Sequence, residues 1–311
     1  MSFSESEVIE YLARIFATSD SRVIIGIGDD AAVVAQGAAN TVVTTDMAVE
    51  GVHFKRIWSS AHEIGRKITA ANLADIYAMG AEPRHLVVAL SLTGNESMNW
   101  IKELAQGIKD EADTCNVSVI GGDLVRGPVV TISMTAIGEV SHPILRSGAQ
   151  VGDGVFLSGL PGLSAAGLFL LSKEINISAL RSSVCAERAV SQFRAPEVNY
   201  SAAIALLDAH ALCDVSDGLL TQGQQVAKGS GVRLEISSEW IEASSGFREL
   251  SDLAYEVGAY VWDWIACGGE DHVFLATGIK LPGMQIGTVQ DGSDCEILGL
   301  TQIPQGFTHF L

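Results

Sequence analysis

Aspartates in this 311-residue chain recur where apolar runs end, beside glycines, and that pattern is where a chemical reading starts. Asp30 follows the run Val23–Gly28, Asp46 follows the run Thr41–Thr45, and Asp123 follows Val119-Ile120-Gly121-Gly122. Turns at strand ends display binding groups on a rigid scaffold. Asp75 differs: Ile64, Ile68, Ala71 and Asp75 recur at helical spacing, so the carboxylate projects from an apolar stripe, where it needs a partner or a metal. Later come Asp214-Val215-Ser216-Asp217-Gly218 and Gly268-Gly269-Glu270-Asp271, again with glycines that let a backbone approach a ligand closely. An oxygen-only donor set of this kind suits Mg²⁺ held together with substrate phosphates. Metal-bridged phosphate chemistry is therefore expected; glycoside hydrolysis would need only two acids.

Two nucleotide motifs are tested and set aside. Gly26-Ile27-Gly28-Asp29-Asp30-Ala31 fits G-x-G-x-x-A formally, but Gly37 cuts off the helix that the fingerprint requires, and two aspartates would face a pyrophosphate. No G-x-x-x-x-G-K-[ST] is present, so a nucleotide would be held through cations on carboxylates. Arg146 is the best isolated cation for a phosphate, or else an ordinary surface arginine. No Ser-His-Asp or Cys-His nucleophile set stands out.

The elements that must position these groups alternate in type. Capping boxes at Ser4/Glu7 and Ser60/Glu63 open helices over 8–16 and 60–79. Strand His85–Leu92, helix Ser97–Asp113 and strand Val117–Ile120 follow. Along 129–137, Val130, Ile132, Met134 and Ala136 alternate with Thr131, Ser133 and Thr135, predicting a strand with one apolar face. The pattern breaks at Ser141–Gly152, which predicts domains at 1–140 and 149–311. The second half reads as strand Val155–Ser158, helices from Ser164 and near 198–207, 219–228 and 247–257, and short strands at 212–214, 232–236 and 272–276.

Composition narrows the partners. Nineteen Lys and Arg against 37 Asp and Glu give a net charge of −18, which repels a nucleic-acid backbone. The five cysteines are scattered without a C-x-x-C pair, so neither a disulfide framework nor a zinc site is signalled. No long apolar run occurs and the first residues are acidic, so a cytoplasmic protein without membrane contact is expected.

Eight segments taken in order resemble the thiamine-monophosphate kinase family, within the ATP-binding superfamily that includes aminoimidazole ribonucleotide synthetase. They are Gly26–Ala31, Thr44-Thr45-Asp46 with Val49-Glu50-Gly51-Val52-His53-Phe54, Asn72–Asp75 with Met79-Gly80-Ala81, Gly121-Gly122-Asp123, Arg146–Ala149, Asp214–Leu219, Gly268–Asp271 and Gly306–Phe310. The resemblance implies a two-domain α/β and α+β fold whose N-terminal domain carries ATP and Mg²⁺ and dimerises through its sheet. It implies direct, ATP-dependent phosphorylation of thiamine monophosphate to thiamine diphosphate with several Mg²⁺ ions, in a homodimer. By the same resemblance Asp30, Thr44, Thr45, Asp46, Asp75, Asp123, Asp214 and Asp217 are metal positions. Gly122, Asp123, Arg146 and Ser216 are nucleotide contacts, and His53, Glu270 and Phe307 face the thiamine phosphate. A sister phosphotransferase or synthetase, or a nucleotide or Mg²⁺ sensor, remains the alternative.

Overall fold

The structure, a computed structural model, describes residues 5–25, 33–35, 37, 39–300, 302 and 304; Asp30 and Phe307 lie outside them. The chain divides into two compact units, Met1–Ile76 with Ala81–Ser141, and Tyr77–Gly80 with His142–Leu311.

The first unit opens with α1 (Glu5–Ile15) and a short antiparallel pair, β1 (Val23–Ile25) and β2 (Val33–Val34). Then come β3 (Asn40–Val49), α2 (Ala61–Ala78), β4 (Glu82–Leu92), α3 (Met98–Asp113), β5 (Ser118–Arg126) and β6 (Thr131–Val140). The sheet order is β3-β6-β4-β5, antiparallel except for the β4–β5 pair. The expected alternation of β6 is realised: Ile132, Met134 and Ala136 are fully buried while Thr131, Ser133 and Thr135 lie half open. The buried face is covered by α2, since a Cβ on Gly138 of β6 would sit 2.6 Å from Ile76. The other face is open and carries Val43, Met47 and Val125, each more than half exposed. The capping box of α2 forms as the sequence predicts: Ser60 N donates to Glu63 Oε2 at 2.7 Å and Glu63 N to Ser60 Oγ at 3.3 Å. Ser97 caps α3 in the same way, its Oγ accepting from Trp100 N at 3.1 Å.

Two strand ends differ from expectation. Asp46 and Asp123 do not follow strands but sit inside β3 and β5, which run on to Val49 and Arg126. Asp123 stands on the open face, and Asp46 on the covered face beside Thr44; the ladder depends on the backbone, so the end of an apolar run does not mark the end of the strand.

The second unit contains β7 (Gly154–Leu157), α4 (Leu163–Ser172), α5 (Ser183–Arg194), α6 (Tyr200–Ala205), β8 (Ala211–Asp214), α7 (Leu219–Ser230) and β9 (Val232–Ser237). It ends with α8 (Ser238–Glu242), α9 (Phe247–Glu256), α10 (Val261–Cys267), β10 (Phe274–Gly278), β11 (Met284–Asp291) and β12 (Cys295–Leu298). Its sheet runs β12-β9-β11-β7-β10-β8, with only the β9–β12 pair parallel. Every residue of the inner strands β7 and β10 and of the edge strand β8 is buried, so all three read as short continuous apolar runs. Sequence periodicity missed α5, because its inward stripe of Cys185, Ala186, Ala189, Val190 and Phe193 is made mainly of small residues. That small stripe lets α4 approach so closely that a Cβ on Gly167 would lie 2.1 Å from Ala189 O.

Candidate active site

In the first unit, strand alternation decides which candidates meet. Thr44 and Asp46 share one face of β3, and Thr44 Oγ1 donates to Asp75 Oδ2 of α2 at 2.7 Å. Asp75 is half-buried and has the partner that its place on an apolar stripe demanded. Thr45 projects to the other face: its Oγ1 donates to Met134 O at 2.9 Å and accepts from Thr135 Oγ1 at 3.1 Å. Asp123 also stands on the open face, in the row Met47–Ser133–Ala89–Asp123, on the edge strand opposite β3. Its own sheet therefore does not bring it to Asp46 and Asp75. Gly122 beside it is required by packing, since a Cβ there would lie 2.0 Å from Val88 O of β4.

His53 lies in the turn that ends β3. Val49 O accepts from the amides of Val52 and His53, at 3.1 and 3.0 Å, while Val49 N donates to His53 Nδ1 at 3.1 Å. With Nδ1 acting as acceptor, the neutral ring carries its proton on Nε2. The turn is clamped from outside by Arg56, which reaches Glu50 at 2.6 Å and the buried Glu96 at 3.1 Å. Burial works against the Glu96 charge, but bonds from Thr93 Oγ1 and Gly94 N, with Arg56 beside it, hold its carboxyl below the usual range. This clamp was not foreseen, because nothing local in the sequence pairs Arg56 with a residue forty positions on.

In the second unit two loops are joined. Glu270 N donates to Ser216 O at 2.8 Å, and a Cβ on Gly269 would lie 2.2 Å from that same oxygen, so only glycine permits the approach. Asp214, Ser216, Asp217 and Glu270 are thus brought into one neighbourhood. Asp214 is buried at the end of β8; His272 Nδ1 meets its Oδ2 at 3.0 Å, while its Oδ1 is buried and meets no donor among the described residues. Asp271 is buried as well, its carboxylate accepting from Gly162 N at 2.6 Å and Ser164 N at 2.9 Å, which caps α4 from a distant loop. Burial pushes the Asp271 carboxyl up to about 6, against the pull of those two amides. Glu270 and His272 on either side of it have φ of 66° and 52°, a left-handed conformation that non-glycine residues adopt at a cost. Arg146 leans on α7, its Nη1 donating to Gln225 Oε1 at 2.9 Å. Cys213 next to Asp214 is no nucleophile, since burial pushes its thiol up to about 12.

Among the described residues no three His, Cys, Asp or Glu side chains form a ready metal cage. The carboxylates fall instead into a strand-and-helix set, Asp46 and Asp75 with Thr44, and a loop set, Asp214 and Asp217. Both sets offer oxygen alone, and the orphaned Asp214 Oδ1 is a buried acceptor of the kind a cation satisfies. The residues present therefore fit Mg²⁺ shared with a phosphate ligand better than a closed protein site. Gln222, which touches the loop set, went unnoticed although its signal was available: it falls on the stripe Leu219, Gln222, Gly223, Val226, Ala227, a polar residue at a core position.

Comparison with known proteins places this fold. The family model for the AIR synthase related protein, N-terminal domain, matches residues 28–140, and that for the C-terminal domain matches residues 150–258. The two units are thus those of the two-domain AIR synthase-like class. A thiamine-monophosphate kinase of Mycobacterium tuberculosis is 37% identical across 93% of this chain and 85% of its own length. The Bacillus subtilis thiamine-monophosphate kinase is 32% identical across 93% and 94%. The chain belongs to the thiamine-monophosphate kinase family. Among solved structures, thiamine-monophosphate kinase from Stenotrophomonas maltophilia K279a superposes with a TM-score of 0.82 at 31% identity, covering 97% of this chain and 99% of that one. AaThiL complexed with AMPPCP and TMP superposes at 0.80 with 28% identity, covering 98% and 97%.

Proposed function

We propose that this protein transfers the γ-phosphoryl group of ATP to the phosphate of thiamine monophosphate, giving ADP and thiamine diphosphate. The observation that carries this reading is the full-length match to a relative complexed with both AMPPCP and TMP. The residues described above supply a consistent chemistry. An oxygen of the acceptor phosphate forms the new bond to the γ-phosphorus, and the bond from that phosphorus to the β,γ-bridging oxygen breaks, releasing ADP. A phosphate monoester with a second pKa of about 6 is already largely ionised at neutral pH, so no general base is needed. His53 fits that economy: its Nδ1 accepts from Val49 N and so does not serve as a base.

Asp46, Asp75, Asp214 and Asp217 are the residues that would hold Mg²⁺, with Thr44 fixing Asp75 and His272 fixing Asp214. Bound Mg²⁺ neutralises the repulsion between two phosphates and favours in-line displacement. Asp30, Thr45 and Asp123 belong to the same proposal as further metal positions, with Gly122, Arg146 and Ser216 toward the nucleotide and Glu270 and Phe307 toward the thiamine ring. The open face of the first sheet, apolar at Val43, Met47 and Val125, is where we place contact with a second copy in a cytoplasmic homodimer. Asp123 on that face would then lie at the contact between copies.

A coupled assay of ADP release tests the reading. Release with thiamine monophosphate and Mg²⁺, and none with unphosphorylated thiamine, is expected. Turnover of thiamine itself would overturn the acceptor assignment and favour a sister phosphotransferase.

A further inference from the structure

Gln222 sits one turn into α7 and is 1% exposed. Its Nε2 approaches Ser216 Oγ at 3.1 Å and, more distantly, Asp217 Oδ2 at 3.4 Å. A carboxylate only accepts, so the NH₂ end of the amide must face Asp217 and the orientation of the side chain is fixed by chemistry. The other end, Oε1, is buried and meets no donor among the described residues. Leaving a buried carbonyl unsatisfied is unfavourable, and a glutamine that served packing alone would be better replaced by leucine. The side chain therefore keeps its donor on the loop at the expense of its own acceptor.

We propose that Gln222 is a positioning residue for phosphoryl transfer, acting through Ser216 and Asp217. Its N–H occupies a lone pair of Ser216 Oγ, so the serine hydroxyl proton points away from Gln222, where its contact to Asp217 Oδ2 is long, 3.4 Å, and can be exchanged for a ligand oxygen. Ser216 is thereby presented as a donor to an anionic ligand, and Asp217 is held beside it. The anchor for this geometry is a regular helix, and the stripe that buries Gln222 also buries Leu219 and Val226 in the core. The inference rests on the reading of residues 214–218 as a nucleotide and metal loop.

The test compares Gln222→Leu, Gln222→Met and Ser216→Ala in the full-length chain, measuring Tm, affinity for AMPPCP with Mg²⁺ by calorimetry, and kcat and KM for both substrates. Gln222→Leu and Gln222→Met should fold with Tm at or above that of the parent, because the orphaned carbonyl is gone. AMPPCP affinity should fall and KM for ATP should rise by about tenfold, the size of one lost hydrogen bond to a polar group that must be held. KM for thiamine monophosphate should stay within about twofold, and the effect should shrink when Gln222→Leu is made in the Ser216→Ala background. Unchanged nucleotide binding in Gln222→Leu, a parallel rise in both KM values, or failure of both replacements to fold would overturn the proposal. If Ser216→Ala weakens AMPPCP while Gln222→Leu does not, only the role of Gln222 falls. If both are silent, the loop is not the nucleotide site.

Discussion

Asp46 and Asp75 stand within a strand and in the last turn of a helix, whereas Asp214 ends a strand and Asp217 and Glu270 hang on two loops that hold each other in place. In the first unit the geometry is inherited from regular structure: alternation along β3 aims Thr44 and Asp46 at one side, and the apolar stripe of α2 turns Asp75 to meet Thr44. Little is strained there. In the second unit the same kind of chemistry depends on two non-glycine residues at positive φ, on a glycine contact that admits no Cβ, and on a buried carboxylate capping a helix. Each left-handed residue costs about 1 kcal/mol or more, and such strain persists only where the surroundings over-determine it. Carboxylates on regular elements can thus be altered without disturbing the fold, while those on the loops are bound up with it.

The sharpest way to break that comparison is to neutralise acids in the first unit. Asp46→Asn and Asp75→Asn should each lower kcat by about 10²–10³, the usual loss for one charge-stabilising contact, with Tm nearly unchanged. Normal turnover in both would make these acids structural and erase the distinction. In the second unit, Asp271→Ala leaves the amides of Gly162 and Ser164 buried and unpaired, and thermal unfolding should show a loss of about 3 kcal/mol. Asp271→Asn, which keeps one acceptor and sheds a buried charge, should lose less than the alanine variant. If Asp271→Ala unfolded at the parental temperature, the loops would not be the strained element we take them for.

The same contrast explains what could be read in advance. Periodicity marked Asp75 as a carboxylate on an apolar stripe and gave β6 its two faces, because both are properties of consecutive residues. The capping box at Ser60 and Glu63 was legible for that reason too. The trans-cap from Asp271 to Gly162 joins residues more than a hundred apart, and the Arg56–Glu96 clamp joins two loops, so neither leaves a local trace. Asp46 and Asp123 read as strand-end residues from the sequence, whereas the backbone ladder carries both carboxylates inside the strand, one on each face of the sheet. Gln222 could have been found by the argument that found Asp75.

Glu270 sharpens the comparison within the loop set, since its proposed contact is with the acceptor alone. Glu270→Ala should raise KM for thiamine monophosphate by about tenfold, equivalent to about 1.4 kcal/mol, and leave KM for ATP within about twofold. Replacing a residue at φ 66° by alanine keeps the backbone demand, so Glu270→Gly serves as the control for strain. A matched rise in both KM values would mean that the loop acts as a unit and that Glu270 has no separate side of the site.

The smallest effect is expected at an acid that has a cation of its own. Asp20 accepts from Arg22 Nε at 3.0 Å and from Nη2 at 2.8 Å, with Arg22 N at 2.9 Å and the His85 ring at 3.2 Å. The Arg22 hydrogen bonds hold its carboxyl well below the usual carboxylate value of 3.8. A depressed folded-state pKa contributes stability that is present above the unfolded value and is lost as pH falls below it. Asp20→Asn should therefore cost about 1 kcal/mol at pH 7, as expected for a half-buried bidentate pair, and the gap to the parent should close as pH drops below about 4. Turnover should be unaffected, in contrast to Asp46→Asn and Asp75→Asn. Unfolding measured by denaturant from pH 3 to pH 7 checks the slope: a gap that stays constant would mean that Asp20 stabilises by shape and not by charge.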